Sequence, residues 1–281
     1  MDLTVSAPAP LRLRPLEVGD LLDETFRMYR RHFWLFAGLS VVLAIPAAGL
    51  QGYSFFSVFG TLVQQANTSP QNLNLNSFLP AIGVLALGVI VNILLSPFSY
   101  GAVIYAASES ALGRPVTIWS ALGGVLRRYF SILGYLVLVT LMAIVLCLLP
   151  LWIWIWVSWV AVLPAMFVEN VGLTAAMGRS WRLVEGRWWR TFLILFLIGL
   201  LWYFASFALQ AFIGLAVGVI GSVISSFVVL AVLQSAQVIV AALVNPILQI
   251  AIVLIYFDLR VRREALDLFQ LAQNISSSQP A

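Results

Sequence analysis

Charge is distributed along this chain in bursts, with long apolar runs between them. No Asp, Glu, Lys or Arg occurs in Phe33–Ser108, in Tyr129–Val168 or in Thr191–Phe257. A helix needs about 20 residues to cross the hydrocarbon of a bilayer, so each run has room for two crossings and a turn. The pattern predicts an all-α integral membrane protein with six transmembrane helices arranged as three hairpins. The spans fall at about 34–56, 79–107, 130–149, 151–168, 191–215 and 228–257. Turns are expected at Gln64–Ser77, at Pro150 and at Gly218–Ser226, where helix breakers cluster. The middle hairpin is tight. Residues 1–19 are expected to form a flexible segment, 20–258 the membrane domain, and 259–281 a cytoplasmic amphipathic tail with a disordered end.

A short stretch of helical period precedes each hairpin. The first begins at Asp20, with Leu21, Leu22, Thr25, Phe26, Tyr29 and Phe33 on one face and Asp23, Glu24, Arg27, Arg30 and Arg31 on or near the other. The second begins at Thr117 and places Ile118, Trp119, Leu122, Val125, Leu126 and Tyr129 before or around Arg127 and Arg128. The third begins at Thr174, with Leu173, Met177, Trp181 and Val184 apolar and Arg179, Arg182 and Glu185 polar. Asp and Thr are good N-caps, and such periods suit amphipathic helices lying in the cytoplasmic-side interface. The first two copies align without gaps; the third needs extra residues around Glu185-Gly186-Arg187. Pro97 and Pro246 stand the same distance before Glu109 and Asp258, while Pro164 stands closer to Glu169. The expectation is a threefold internal repeat of interfacial helix, span, turn, proline-containing span and terminal acid.

Arginine sets the orientation. Arg12, Arg14, Arg27, Arg30 and Arg31 precede the first span, Arg114, Arg127 and Arg128 lie between the second and third, Arg179, Arg182, Arg187 and Arg190 between the fourth and fifth, and Arg260, Arg262 and Arg263 follow the sixth. The opposite loops carry none, so the positive-inside rule puts both termini in the cytoplasm of a bacterial cell membrane. Composition agrees: 62% of the chain is hydrophobic, 9% is charged, and the mean hydropathy is +1.01, against about 25% charge in a soluble domain. The net charge of +4 suits an anionic lipid surface and argues for no nucleic-acid partner. The first apolar segment is expected to act as an uncleaved signal anchor, because the N-terminus lacks a basic start and an apolar core.

Little in the chain points to catalysis. His32 is the only histidine, Cys147 the only cysteine, and there is no lysine. No intramolecular disulfide, several-cysteine zinc site or lysine-bearing phosphate loop can therefore be built. The expectation is a protein that is not an enzyme, with no catalytic residue, cofactor or metal. Glu109, Glu169 and Asp258 end the even-numbered spans and are expected to pair with Arg114, Arg179 or Arg260. The interior holds only neutral amides, and Asn92, Gln234, Asn245 and Pro246 form a candidate intramembrane polar pocket, since a proline frees a helix carbonyl. Arg30, Arg31, Arg127, Arg128, Arg179, Arg182, Arg187 and Arg190, with Trp188 and Trp189, are the candidate contacts to anionic headgroups or a partner protein.

Four stretches also carry a resemblance. They are Arg14-Pro-Leu-Glu-Val-Gly-Asp20 running on to Arg30-Arg-His-Phe33; Gly113-Arg-Pro-Val-Thr117; Pro164-Ala-Met-Phe-Val-Glu169-Asn-Val-Gly172 with Gly178-Arg-Ser-Trp-Arg182 and Gly186-Arg-Trp-Trp-Arg190; and Tyr256-Phe-Asp258-Leu-Arg260-Val-Arg-Arg-Glu264. In this order they resemble the bacterial family named after the membrane part of glycerophosphoryl diester phosphodiesterase. The resemblance implies a multi-pass membrane protein of no settled activity. The soluble phosphodiesterase barrel of some members, with its Glu/His metal set, has no counterpart here, so that activity does not follow. The leading expectation is a membrane module that organises or recognises anionic lipid, or a protein partner or second copy, at the inner leaflet. A passive transporter or channel for a small neutral or amphipathic solute is the alternative.

Overall fold

The computed structural model describes residues 17–68, 76, 79–144, 149–223 and 227–277. Among them the chain is all-helical. In order the helices are α1 (Val18–Arg31), α2 (Phe33–Thr68), α3 (Leu79–Ala111), α4 (Ile118–Leu126), α5 (Tyr129–Ile144), α6 (Leu149–Ser158), α7 (Val162–Val168), α8 (Leu173–Val184), α9 (Trp188–Val223) and α10 (Phe227–Ser277). Among the described residues five segments are long and apolar enough to cross a membrane: Phe33–Asn67, Leu79–Ala111, Pro150–Val168, Trp188–Ala216 and Ala231–Glu264. A sixth is reached only if α4 and α5, which bend by 75° at their junction, form one broken span. Leucines, valines and phenylalanines of α3 and α9 stand exposed along whole helix faces, Leu87, Val89, Phe207, Phe212 and Leu215 among them. Water would not tolerate such faces; a bilayer does. The chain is a multi-pass membrane protein.

Several boundaries differ from expectation. α2 and α9 have 36 residues each, about 54 Å at 1.5 Å per residue, so they outrun the hydrocarbon and extend into the regions expected to turn. The rest of the turns at Gln64–Ser77 and Gly218–Ser226 lies largely outside the described residues, as do Cys147, Arg12 and Arg14. α5 is described over 16 residues, about 24 Å, and the rest of the expected 130–149 span, at 145–148, lies outside the described residues. Thr117 caps α4 through a reciprocal pair with Ser120, but Asp20 and Thr174 fall inside their helices, whose N-caps are Glu17 and Gly172. The tail is no separate helix: α10 continues through Asp258 to Ser277, because nothing between them breaks a helix. Residues 1–16 and 278–281 lie outside the described part.

The expected span at 151–168 is divided at Trp159–Ala161. Pro164, in the first turn of α7, has no N–H for the Val160 carbonyl four residues earlier and its ring crowds that carbonyl, so one continuous helix cannot run through. The fully buried Ser180 of α8 takes the Ala161 N–H at 3.1 Å and donates its own hydroxyl to the Ser158 carbonyl at 2.7 Å. A side chain inserted into the hydrogen-bond ladder is a standard cause of a kink.

α10 is the central helix and packs on α2, α9, α1, α3, α8 and α7. It runs antiparallel to α2, whose Ala48 carbonyl accepts from Ser235 at 2.9 Å. The two backbones meet at Gly52, where a Cβ would sit 2.1 Å from Ser235 Oγ and 3.0 Å from the Ala231 carbonyl. Small residues are what allow helices to approach closely in a membrane. α3 runs parallel to α10, joined by Gln249 Nε2 donating to the Ser99 carbonyl at 3.3 Å. The buried core lies toward the charged end, around Phe36, Ile104, Ile132, Met166, Ile194 and Leu254.

Candidate functional site

Two places gather polar chemistry: the arginine-rich end and a cleft inside the spans. Because α3 and α10 are parallel and tied at Ser99–Gln249, Glu109 and Asp258, some ten residues further along each, come to the same end. Tyr256, two residues before Asp258, donates to Glu169 at 2.9 Å, which brings the third acid there. The three acids are each neutralised by arginine. Glu109 meets Arg114 at 3.3 Å; Glu169 accepts from Arg179 Nε at 2.8 and 3.0 Å. Asp258 accepts from Arg190 at 2.5 Å and Arg262 at 2.9 Å. Arg260, the expected partner of Asp258, instead pairs with Glu264, one turn on.

This sorts the arginines into two groups. Arg179 is clamped between Glu169 and Glu264, at 2.7 Å from the latter, and so ties α8 to α10. Burial alone would lower its pKa, but the hydrogen bonds and charges of Glu169 and then Glu264 outweigh burial and raise it. Arg187 donates to the Arg262 carbonyl at 3.4 Å; burial, then the charges of Arg262 and Arg263, hold its pKa below the usual value. Arg128 bonds the Val171 carbonyl and Asn170, and Arg263 the Arg182 carbonyl. These side chains hold the structure together.

The second group is outward-facing. Arg30, Arg31, Arg127 and Arg182 are exposed, and none has an acidic partner among the described residues. Close to them in the chain stand aromatic rings that face outward: Trp34 at 82% exposure, Trp119 at 82%, Phe130 at 84% and Trp189 at 76%. Trp188, by contrast, is half-buried, stacked on Phe192 and bonded to the Trp154 carbonyl at 3.2 Å. The Glu185-Gly186-Arg187 insertion makes this turn; Gly186 has φ +78°, in the left-handed region that glycine tolerates best. His32 is buried against Phe36 rather than facing outward. Desolvation, then the charge of Arg31, lowers its pKa.

The second place is a cleft of about 240 Å³ between α2, α3 and α10. Asn92 and Asn245, expected together, both line it. Gln234 lies three turns away on α10 and does not, and neither does the buried Pro246. Asn245 is engaged by the Trp202 indole at 3.2 Å. Sequence reasoning missed Ser40, Ser96 and Ser99, and counted Gln249 among the interior amides without placing it in the pocket. The signal was there: Asn92, Ser96 and Ser99 share one face of α3, and Asn245 and Gln249 one face of α10. Every helix of the cleft also carries a proline at this level, Pro46, Pro97 and Pro246. Each removes the N–H that would serve the carbonyl four residues earlier, namely Val42, Ile93 and Ala242. The Ile93 carbonyl is served instead by the Ser96 hydroxyl at 2.7 Å. At Ala47 and Asn92 the cleft meets an apolar groove of about 380 Å³ between α2 and α3, walled by Leu50, Phe55, Phe59, Leu85 and Val89.

Comparison with family models, curated proteins and solved structures finds no significant match to this chain.

Proposed function

We propose that the protein is a non-enzymatic membrane module that recognises anionic lipid at the inner leaflet through its outward-facing arginines. One observation carries this reading. Arg30, Arg31, Arg127 and Arg182 lack acidic partners among the described residues, and exposed aromatic rings accompany them in the chain. Tryptophan and phenylalanine at a headgroup boundary fix depth, and a free guanidinium at that depth attracts an anionic headgroup by about 1 kcal/mol. Arg128, Arg179, Arg187 and Arg190 leave the set of lipid contacts, since carboxylates or carbonyls already occupy them.

In this reading both termini are cytoplasmic, and α1, α4 and α8 are inner-leaflet interfacial elements that introduce three structurally unequal repeats. The chain stays grouped, by motif order, with the membrane part of the glycerophosphoryl diester phosphodiesterase family, with no phosphodiesterase activity attached. The test is reconstitution into nanodiscs of zwitterionic lipid containing a fixed fraction of phosphatidylglycerol, with native mass spectrometry of the lipid that leaves with the protein. The natural chain enriches phosphatidylglycerol; an Arg30→Gln/Arg31→Gln/Arg127→Gln/Arg182→Gln variant does not. Equal enrichment in both refutes the proposal.

A further inference from the structure

We infer that α5–α7 dips into the arginine-side leaflet and returns without crossing, so that the protein is a wedge fitted to lipid surfaces convex on that side. The inference does not rest on headgroup charge. It starts from how both ends of the Pro150–Val168 segment are tied. The Trp154 carbonyl, near its start, accepts from the Trp188 indole at 3.2 Å, and Glu169, just past its end, accepts from Arg179 at 2.8 Å. Between them the Ser158 carbonyl and the Ala161 N–H are bonded to Ser180. These partners all lie on α8 or at the first residue of α9, a stretch that carries Arg179, Arg182, Arg187 and Arg190. Arginines are costly in hydrocarbon, so both ends of the segment stay on the arginine side. α5 is held there too: it starts beside Arg127 and Arg128, and Tyr135 donates to the Trp159 carbonyl at 3.1 Å. Beyond these anchors the described arms run from Tyr135 to Ile144 and from Trp154 back to Leu149, about 14 Å and about 8 Å at helical rise. The hydrocarbon is about 30 Å deep. Neither arm reaches its far side.

The hairpin nevertheless meets lipid. Trp119 on α4, Phe130 and Leu141 on α5, and Leu151 and Trp154 on α6 are all exposed. Rings and leucines presented in this way belong among headgroups and acyl chains rather than in water. The other leaflet meets a narrower body. Among the described residues, no apolar side chain of α9 is buried beyond Ile198, and none of α3 between Ala81 and Pro97. That half of the bilayer is crossed, among the described residues, by α2, α3, α9 and α10 alone. The arginine-side half holds those four together with α4–α8, and α1 at its surface; the buried core lies there for the same reason. A body wider in one leaflet strains a flat bilayer, because it pushes apart the lipids of that leaflet only. A surface convex on that side already spreads them and accepts the wedge, which is why interfacial insertions respond to curvature.

The test uses the full-length protein in vesicles of phosphatidylcholine alone, of mixed size, so that no anionic lipid takes part. Cys147 is the only cysteine, and a Cys147→Ser background lets one dye be placed on Asn67→Cys, exposed at the far end of α2. A membrane-impermeant quencher, applied vesicle by vesicle, spares this dye in molecules whose arginine side faces outward. The ratio of arginine-out to arginine-in molecules should rise at least about twofold from the largest vesicles to the smallest. A ratio that is independent of vesicle size, or that falls, overturns the wedge. The hairpin is tested by moving the dye to Leu151→Cys, on the exposed outer end of α6. That dye should not be quenched from the far side. If it is quenched in the same vesicles and to the same extent as the Asn67→Cys dye, α5–α7 crosses the bilayer and the proposal fails.

Discussion

The buried carboxylate at the end of the last span offers the most quantitative test of how the charged end is held. The Asp258 side chain is 1% exposed and accepts from Arg190 on α9 and Arg262 one turn along α10. Arg190→Gln removes one of the two cations that the described residues place on Asp258. A buried pair broken by losing one partner costs about 3–5 kcal/mol, but Arg262 remains and Arg190 is itself 26% exposed, so about 2 kcal/mol is expected. Asp258→Asn is worse. It leaves Arg190 and Arg262 facing each other, with Arg187 close enough to feel both charges, and about 3 kcal/mol is expected for breaking both pairs at once. In the double variant the repulsion falls, so the two losses do not add; a coupling of about 1–2 kcal/mol is expected. Thermal unfolding in detergent, followed by tryptophan fluorescence, reads this out at about 2–4 °C per kcal/mol for a chain of this size. Additive shifts, or an Asp258→Asn variant no less stable than Arg190→Gln, would show that the carboxylate does not organise this end.

Other outcomes follow from single contacts. Ser180→Ala orphans the Ala161 N–H and the Ser158 carbonyl and should cost about 1–3 kcal/mol; a melting temperature equal to the natural chain's would mean the kink between α6 and α7 does not need it. Gly52→Val places carbon against Ser235 Oγ and the Ala231 carbonyl, so α2 and α10 must separate; the variant should melt several degrees lower, with Ser235→Gly restoring only part because the carbonyl stays. Desolvation and then the charge of Arg31 hold His32 below its ordinary pKa in the fold. Protonation then favours the unfolded chain: its contribution is complete above the unfolded pKa of about 6.5 and is lost as pH falls below it. His32→Leu should therefore flatten the stability change between pH 7 and pH 5, measured against the natural chain. Alkaline phosphatase fused near Asn74 should be active and near Gly186 inactive; the reverse would invert the proposed orientation.

Those contacts also show which parts of the molecule are written locally. Charge-free runs located the membrane-crossing helices because a bilayer penalises any misplaced charge, a constraint that acts residue by residue. The Thr117 cap was legible for the same reason, being settled within four residues. What depends on distant partners was not. The break at Trp159–Ala161 is marked in the chain by Pro164, but the Ser180 that serves its freed backbone groups comes from another helix. Arg179 and Arg182 look alike in sequence, yet one is clamped by Glu169 and Glu264 and the other has no acidic partner among the described residues. Asn92 and Asn245 converge while Gln234 does not, because the register between α3 and α10 is fixed by packing. Gln249 was within reach, one turn from Asn245, but its bond to Ser99 is fixed by the neighbouring helix.

That division of the arginines supplies the most direct test of the proposed function. Two variants are compared by the amount of phosphatidylglycerol that co-purifies, read by native mass spectrometry. One replaces the outward-facing Arg30, Arg31, Arg127 and Arg182 with glutamine; the other replaces the internally engaged Arg179, Arg187 and Arg190. At about 1 kcal/mol per outward-facing arginine, the first variant should lose most of its anionic lipid at an unchanged melting temperature. The second should melt lower while any folded fraction keeps its lipid. If lipid is lost from the second variant and retained by the first, the account of this surface is wrong.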